Sequence, residues 1–195
     1  MATASSRREI LAASASLAGG AGAALLASCG GDGSKGETTQ TVSTMQMRGD
    51  AALAGSLLEL EAGAIVAYDA IAARLDGRAL AVARQFAAHE RAHAAALRRA
   101  IARLGERPAP ARAAADYRAG FPPLPNARAA LRFALDVEST AIAAYADALG
   151  KVVTDSLRET LATVLATESE HAAVLLGSLG RPRVPAAFVT GPVPG

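Results

Sequence analysis

The sequence is poor in the residues that cross-link chains, bind zinc through sulfur or stack on bases. Cys29 is the only cysteine among 195 residues, which excludes an intramolecular disulfide and any metal site built from several cysteines. Tryptophan is absent, and there are only three Tyr and four Phe. The net charge is only +2. Because so few rings could stack on bases and the charge is small, we expect no nucleic-acid partner.

The chain is rich in apolar residues. Hydrophobic residues make up 51% and charged residues 19%, a composition too apolar for a disordered protein. The length suits one domain with a buried core. Alanine dominates and no alternating strand pattern is present, so the composition favours helix throughout. We therefore predict an all-α domain.

The N-terminal segment 1–28 has the pattern of an export signal. Arg7 and Arg8 precede an uncharged run from Ile10 to Ser28, which is rich in Ala, Gly and Ser. The arginine pair resembles the twin-arginine export signal, and Leu-Ala-Ser before Cys29 resembles the lipobox of bacterial lipoproteins. This resemblance implies a signal peptide over 1–28 and a lipid on Cys29.

The expected location follows from that signal. We expect an exported lipoprotein of the cell envelope, on the outer side of the cytoplasmic membrane or in the periplasm, held to the membrane by the lipid on Cys29. An uncleaved membrane anchor is the alternative, because the run from 10 to 28 is about long enough to span a bilayer. Residues 29–49 are rich in Gly and Thr and are predicted to form a flexible tether.

Four long helices are predicted from position 50 onward. Asp50 and Asn126 are candidate caps for the first and third helix, and glycines followed by prolines end the second and fourth. The bundle is predicted over 50–180, and the proline-rich tail 181–195 is predicted to be irregular. The predicted helices span about 50–76, 78–104, 127–150 and 155–179.

The link lengths predict the topology. The first and second helices, and the third and fourth, are joined by very short links, so each pair is expected to form an antiparallel hairpin. The link 106–126 contains five prolines and can run the length of a helix of about 37 Å. The second and third helices would then be parallel, which predicts a four-helix bundle with one long crossover.

The two predicted hairpins repeat each other in sequence. Glu61-Ala-Gly-Ala-Ile-Val-Ala-Tyr68 on the first helix matches Glu138-Ser-Thr-Ala-Ile-Ala-Ala-Tyr145 on the third. Glu90-x-x-His93 on the second helix matches Glu168-x-x-His171 on the fourth. Residues three apart share a helix face, so four carboxylates and two imidazoles are expected to meet in the core. Because buried carboxylates repel one another, two divalent ions of the iron or manganese type are the expected counter-charge.

One Glu from each of two helices and Glu-x-x-His from each of the other two resemble the ferritin-like di-iron carboxylate proteins. The resemblance covers about residues 50–180 and implies two Fe or Mn ions as cofactors. Glu90 and Glu168 would bridge them, Glu61 and Glu138 would be terminal ligands, and each histidine would take one ion. Tyr68 and Tyr145 would donate hydrogen bonds to the carboxylates. Iron-storage and haem-containing relatives often have Asp just before each Glu of the Glu-x-x-His pairs, where this chain has His89 and Thr167.

Several alternatives stay open at this stage. The polar cluster could exist without metal, the two tyrosines could be plain core aromatics, and His89 could lie on the surface or support a ligand. Glu59 is expected in solvent. Three functions are compatible with the sequence: a ferroxidase-like or peroxidase-like oxidoreductase acting with O2 or peroxide, a metal-binding protein without turnover, and a metal-free structural or stress-protective envelope protein. A homodimer is also compatible with it.

Overall fold

The computed structural model describes residues 42–187 and Gly191. The predicted signal residues Arg7 and Arg8, the predicted lipid site Cys29 and most of the tether lie outside the described residues. No strand occurs in the described residues, which confirms the all-α prediction. The helices are α1 (Thr44–Ala72), α2 (Gly77–Arg103), α3 (Ala114–Arg118), α4 (Ala127–Leu149) and α5 (Asp155–Ser178).

Helix α1 begins six residues earlier than predicted. Ser43 forms a reciprocal cap with Gln46: the Ser43 hydroxyl accepts from the Gln46 backbone N–H at 3.2 Å, and the Gln46 side chain accepts from the Ser43 N–H at 2.8 Å. This arrangement satisfies two amides that would otherwise lack partners at the helix start. The prediction that the tether extends to 49 is therefore wrong for residues 44–49.

Asp50 does not cap α1, contrary to prediction, and joins the two hairpins instead. It is buried in α1, and its carboxylate accepts hydrogen bonds from the backbone N–H groups of Val153 and Thr154, at 3.1 and 2.7 Å. Val153 and Thr154 directly precede α5, and Thr154 is its N-cap residue, so the carboxylate lies at the helix start, where the helix dipole favours a negative charge. The other predicted cap is confirmed, since the Asn126 side chain accepts from Ala129 N–H at 2.9 Å.

The four long helices pack as two antiparallel hairpins. Helix α1 packs on α2 and α4 packs on α5, while α1 contacts α4 and α2 contacts α5 across the bundle. Tyr68 reaches Glu138 and Tyr145 reaches Glu61, so α1 and α4 run in opposite directions. Since α2 is antiparallel to α1, α2 and α4 are parallel, and the long crossover is confirmed.

The crossover between α2 and α4 is more ordered than a stretched link. It contains α3, where Tyr117 is buried and lies against Gly63 of α1. Glu59, expected in solvent, is only partly exposed: it accepts from the Tyr117 hydroxyl at 2.9 Å and pairs with Arg112. The Glu59 side chain keeps 40% exposure, so the prediction holds only in part, because the link folds back over this side of α1.

The core consists of two apolar clusters with a polar layer between them. One cluster lies around Leu97, Leu157 and Leu161, and the other around Ile71, Phe86 and Ile142. The buried charged residues of α1, α2, α4 and α5 other than Asp50 occupy the layer between the clusters. Apolar packing on both sides thus holds the helices in register around a charged centre.

Helix α1 is long and apolar enough to cross a membrane by length and composition. Core helices of soluble proteins satisfy the same criterion, and half of the relevant stretch is buried inside this bundle. Its contacts with α2, α3 and α4 are those of a core helix.

Candidate metal centre

Six ionisable side chains from four helices meet in the polar layer. The four glutamates are at most 1% exposed, and the histidines are 9% and 3% exposed for His93 and His171. Helix periodicity explains the arrangement, since residues three apart on α2 and on α5 face the same direction. The six residues are Glu61 on α1, Glu90 and His93 on α2, Glu138 on α4, and Glu168 and His171 on α5.

The six residues form two groups, each centred on one imidazole. His93 Nδ1 lies 3.0 Å from Glu168, 3.5 Å from Glu90 and 3.8 Å from Glu61. In each group, one ligand atom per residue can be chosen so that all lie within 4.8 Å of one another.

The second group repeats this geometry around the histidine of the other hairpin. His171 Nδ1 lies 3.2 Å from Glu168, 3.5 Å from Glu90 and 3.4 Å from Glu138. Glu90 and Glu168 therefore belong to both groups, whereas Glu61 and Glu138 each belong to one. The sequence repeat thus takes the form of an approximate two-fold arrangement in three dimensions.

Two tyrosines tie the hairpins together at this layer. The hydroxyl of Tyr68 donates to Glu138 and that of Tyr145 donates to Glu61. Each bond runs from one hairpin to the terminal carboxylate of the other, and both rings are fully buried. The tyrosines are therefore both core aromatics and hydrogen-bond donors to the cluster.

This geometry agrees with the comparison with known families. A family model described as a ferritin-like domain matches residues 33–181. The chain belongs to the ferritin-like domain family. A search of curated proteins found no match. Family membership and the buried Glu/His cluster are together compatible with metal binding.

The buried carboxylate oxygens and imidazole nitrogens of this ferritin-like domain are better suited to binding cations than to bonding one another. Six of them are buried without a hydrogen-bond partner among the described residues: Glu61 Oε2, Glu90 Oε1, both Glu168 oxygens, and Nδ1 of His93 and of His171. Buried polar atoms ordinarily have partners, so this concentration of unpartnered carboxylate and imidazole atoms is unusual for a protein core. Carboxylate oxygens with one imidazole per group are a donor set suited to iron or manganese.

Protons partly neutralise the metal-free cluster. Burial and the neighbouring carboxylates raise the pKa of Glu61 well above its usual value. Burial likewise raises the pKa of Glu138, which favours the neutral acid at both terminal positions. Burial alone would raise the pKa of Glu168, but the two imidazoles close to its carboxylate, at 3.0 and 3.2 Å, lower it to about 2.

The two histidines hold the compensating positive charge. Burial opposes their protonation, yet the neighbouring carboxylates of Glu168 and Glu90 raise the pKa of His93 to about 9. The carboxylates of Glu138, Glu168 and Glu90 raise the pKa of His171 to about 11. Two imidazolium groups then balance the two shared carboxylates. Any cation that enters must displace these protons.

Sequence reasoning left the role of His89 open and missed Phe86. His89 Nδ1 lies 2.8 Å from His171 Nε2, and the Phe86 ring stacks on the His171 ring with centroids 3.8 Å apart. Burial and the neighbouring His171 lower the pKa of His89. Phe86 lies seven residues before His93, so helix periodicity alone would have placed it on the same stripe.

Proposed function

We propose that the buried layer holds two iron or manganese ions and that the protein uses them in a redox reaction, either oxidation of ferrous iron or reduction of O2 or peroxide. When bound, such ions supply one-electron redox steps and open coordination positions for a small oxidant. The observation that carries the proposal is the pair of buried groups that share Glu90 and Glu168, with unpartnered ligand atoms in both.

The residues of the two groups would have different roles in holding the ions. Glu90 and Glu168, common to both groups, would hold the two ions next to each other. Glu61 and Glu138 would each complete one group, and the tyrosine hydroxyls that bond them would fix their orientation. Because the carboxylates and imidazoles exchange protons for cations, loading would proceed with little change in buried charge.

A cavity beside the cluster supports the redox part of this proposal. It has a volume of about 280 Å³ and lies at the end of the bundle formed by the start of α2 and the end of α5. Its lining includes Ile71, Leu175 and the two rings Tyr68 and Phe86, which contact Glu138 and His171 respectively. Arg78, Ser178 and Arg183 also line it, and most of its other residues are apolar. A small uncharged oxidant could approach the cluster from this side.

The test compares metal content and turnover in matched variants. We expect about two Fe or Mn per wild-type chain by elemental mass spectrometry. Glu168→Ala should lose both ions, because Glu168 belongs to both groups. Glu170→Ala is the control, since Glu170 is an exposed neighbour on the same helix and should change nothing.

Turnover separates the redox proposal from metal binding alone. Ferrous oxidation and peroxide consumption should accompany the metal in the wild type and in Glu170→Ala, and should be absent from Glu168→Ala. A protein that holds two ions but turns over neither substrate would be a metal-binding protein, and the redox proposal would fail. A folded wild type that takes up neither Fe(II) nor Mn(II) would overturn the metal site itself.

We also propose that the protein works at the cell envelope, anchored through a lipid on Cys29. The support is the arginine pair at Arg7 and Arg8 and the position of the single cysteine directly after Leu-Ala-Ser. Replacing both arginines by Lys should block export, and Cys29→Ala should release the exported protein from membranes. Continued export of the first variant, or continued membrane attachment of the second, would contradict this proposal.

A further inference from the structure

The two halves of the metal centre differ in what holds the histidine. His171 is engaged through both ring nitrogens: Nδ1 faces Glu90, Glu138 and Glu168, and Nε2 lies 2.8 Å from Nδ1 of His89. The ring is therefore held between the cluster and a second imidazole. The second imidazole occupies the position directly before Glu90.

The direction of this hydrogen bond follows from what a metal ligand needs. A histidine that binds a cation through Nδ1 must keep the lone pair of that nitrogen free, so its ring proton lies on Nε2. Nε2–H of His171 then donates to Nδ1 of His89, and neutral His89 carries its own proton on Nε2. A hydrogen bond from the remote ring nitrogen fixes both the tautomer and the orientation of a ligating histidine.

Ring packing fixes the same side chain from a second direction. The Phe86 ring stacks on His171 with a 20° angle between planes and a centroid distance of 3.8 Å. The His89 ring is also nearly parallel to His171, at 16° and 5.1 Å. His171 is thus held in place by an acceptor at its edge and by an aromatic ring on its face.

The equivalent positions on the other hairpin offer neither support. Thr167 lies directly before Glu168, as His89 lies directly before Glu90, and its hydroxyl donates to the carbonyl of Thr163 in its own helix at 3.3 Å. Val164 occupies the position of Phe86 in the repeat. At these positions His93 therefore has no imidazole acceptor and no stacked phenyl ring.

We propose that His89 is a positioning residue for His171 and makes the two metal positions unequal. This inference rests on the proposed metal centre. Removing an acceptor of this kind costs metal affinity about 10- to 100-fold. That loss should fall on the position that includes His171 and leave the position that includes His93 unchanged.

The experiment is an anaerobic Mn(II) titration of the chelator-treated full chain, with free Mn(II) followed by electron paramagnetic resonance. His171→Ala and His93→Ala first identify which binding step belongs to which histidine, because each should remove one step. His89→Phe keeps a ring for stacking but removes the acceptor nitrogen. It should weaken the His171 step about 10- to 100-fold and leave the His93 step within about twofold, as expected for a separate site.

Two further variants separate positioning from damage to the fold. Thr167→Ala, at the equivalent position of the other hairpin, should leave both steps unchanged. His89→Gln restores a side-chain acceptor and should recover part of the affinity that His89→Phe loses. Circular dichroism checks the helix content of each variant. If His89→Phe fails to fold, His89→Gln is compared with a folded His89→Ala instead. His89→Gln should then bind Mn(II) more tightly than His89→Ala at the His171 step.

The outcomes distinguish this inference from the proposal on which it rests. If wild-type protein binds no Mn(II) and no Fe(II), the metal centre fails and the inference fails with it. If two ions bind but His89→Phe weakens neither step, or both equally, the positioning role of His89 is overturned and the metal centre stands.

Discussion

The hairpin of α1 and α2 and the hairpin of α4 and α5 carry the same Glu, His and Tyr residues at matching positions, but the surroundings of these residues differ. Each supplies one Glu, one Glu-x-x-His pair and one tyrosine that reaches across to the other hairpin. Only one of the two histidines, His171, has an imidazole and a phenyl ring beside it. The difference shows that two halves with matching residues can have different surroundings, and the surroundings of a metal ligand set its orientation and basicity.

The largest expected effect is on metal affinity. It should differ between a residue that belongs to both groups and a residue that belongs to only one. Glu90→Ala should lower the affinity for both ions at least about 100-fold, because it opens both groups and leaves buried partners unsatisfied. His93→Ala should abolish one step and spare most of the other. Metal titration checks this, and an equal loss of both ions in the two variants would break the distinction between shared and unshared ligands.

The metal-free protein should lose stability as the pH rises. Above the unfolded histidine pKa of about 6.5, the folded chain binds more protons than the unfolded chain, since the pKa is raised to about 9 for His93 and about 11 for His171. The free energy of unfolding therefore falls with pH in this range. The raised pKa values of Glu61 and Glu138 act in the same direction.

Thermal unfolding of chelator-treated protein measures this effect. We expect Tm to fall by about 5 °C or more between pH 6.5 and 9, with a further fall toward pH 11. Histidine ring signals in nuclear magnetic resonance should show His93 titrating before His171, which sharpens the comparison of the two halves. A Tm that stays level or rises over this range would contradict the assigned protonation states.

The two tyrosines test the symmetric part of the comparison. Tyr68→Phe and Tyr145→Phe each remove one hydroxyl that bonds a buried carboxyl group. Each should lower the free energy of unfolding by about 1–3 kcal/mol, and the two losses should agree within about 0.5 kcal/mol, the usual error in comparing separate sites. Urea unfolding measures both, and losses that differ by more would show that the asymmetry extends to the terminal carboxylates.

Asp50 makes a contact that the matching position of the other hairpin does not make. Its carboxylate bonds the amides of Val153 and Thr154, whereas the matching position of the repeat is Ala127. Asp50→Ala should destabilise the protein by about 1–3 kcal/mol, because it leaves two part-buried amides without an acceptor. Ala127→Ser is the matched control and should change the free energy of unfolding by less than about 0.5 kcal/mol. Urea unfolding compares the two, and an equal effect of both variants would remove Asp50 from this role.

Much of the centre could be predicted because the repeat and the helical period act together. Glu-x-x-His puts two ligands on one face, and a second copy on the other hairpin predicts that the faces meet. The helix bounds followed from glycine and proline for α2 and α5, and from Asn126 for α4. These are local signals, and a single sequence contains them in full.

Other features depend on contacts between distant segments. Asp50 resembles a local cap in sequence, and only the fold brings it to the start of α5. Glu59 looked solvent-exposed until α3 placed Tyr117 over it. The partner of His89 is 82 positions away, so a periodic pattern on α2 shows where its side chain lies but does not identify the partner.

The most direct test of the central claim is anomalous X-ray diffraction at the iron and manganese absorption edges from crystals of the protein loaded with each metal. We predict two adjacent peaks between Glu90 and Glu168, one next to Nδ1 of His93 and the other next to Nδ1 of His171. Crystals of folded, metal-treated protein with no peak in this layer, or with metal bound only elsewhere, would contradict the account.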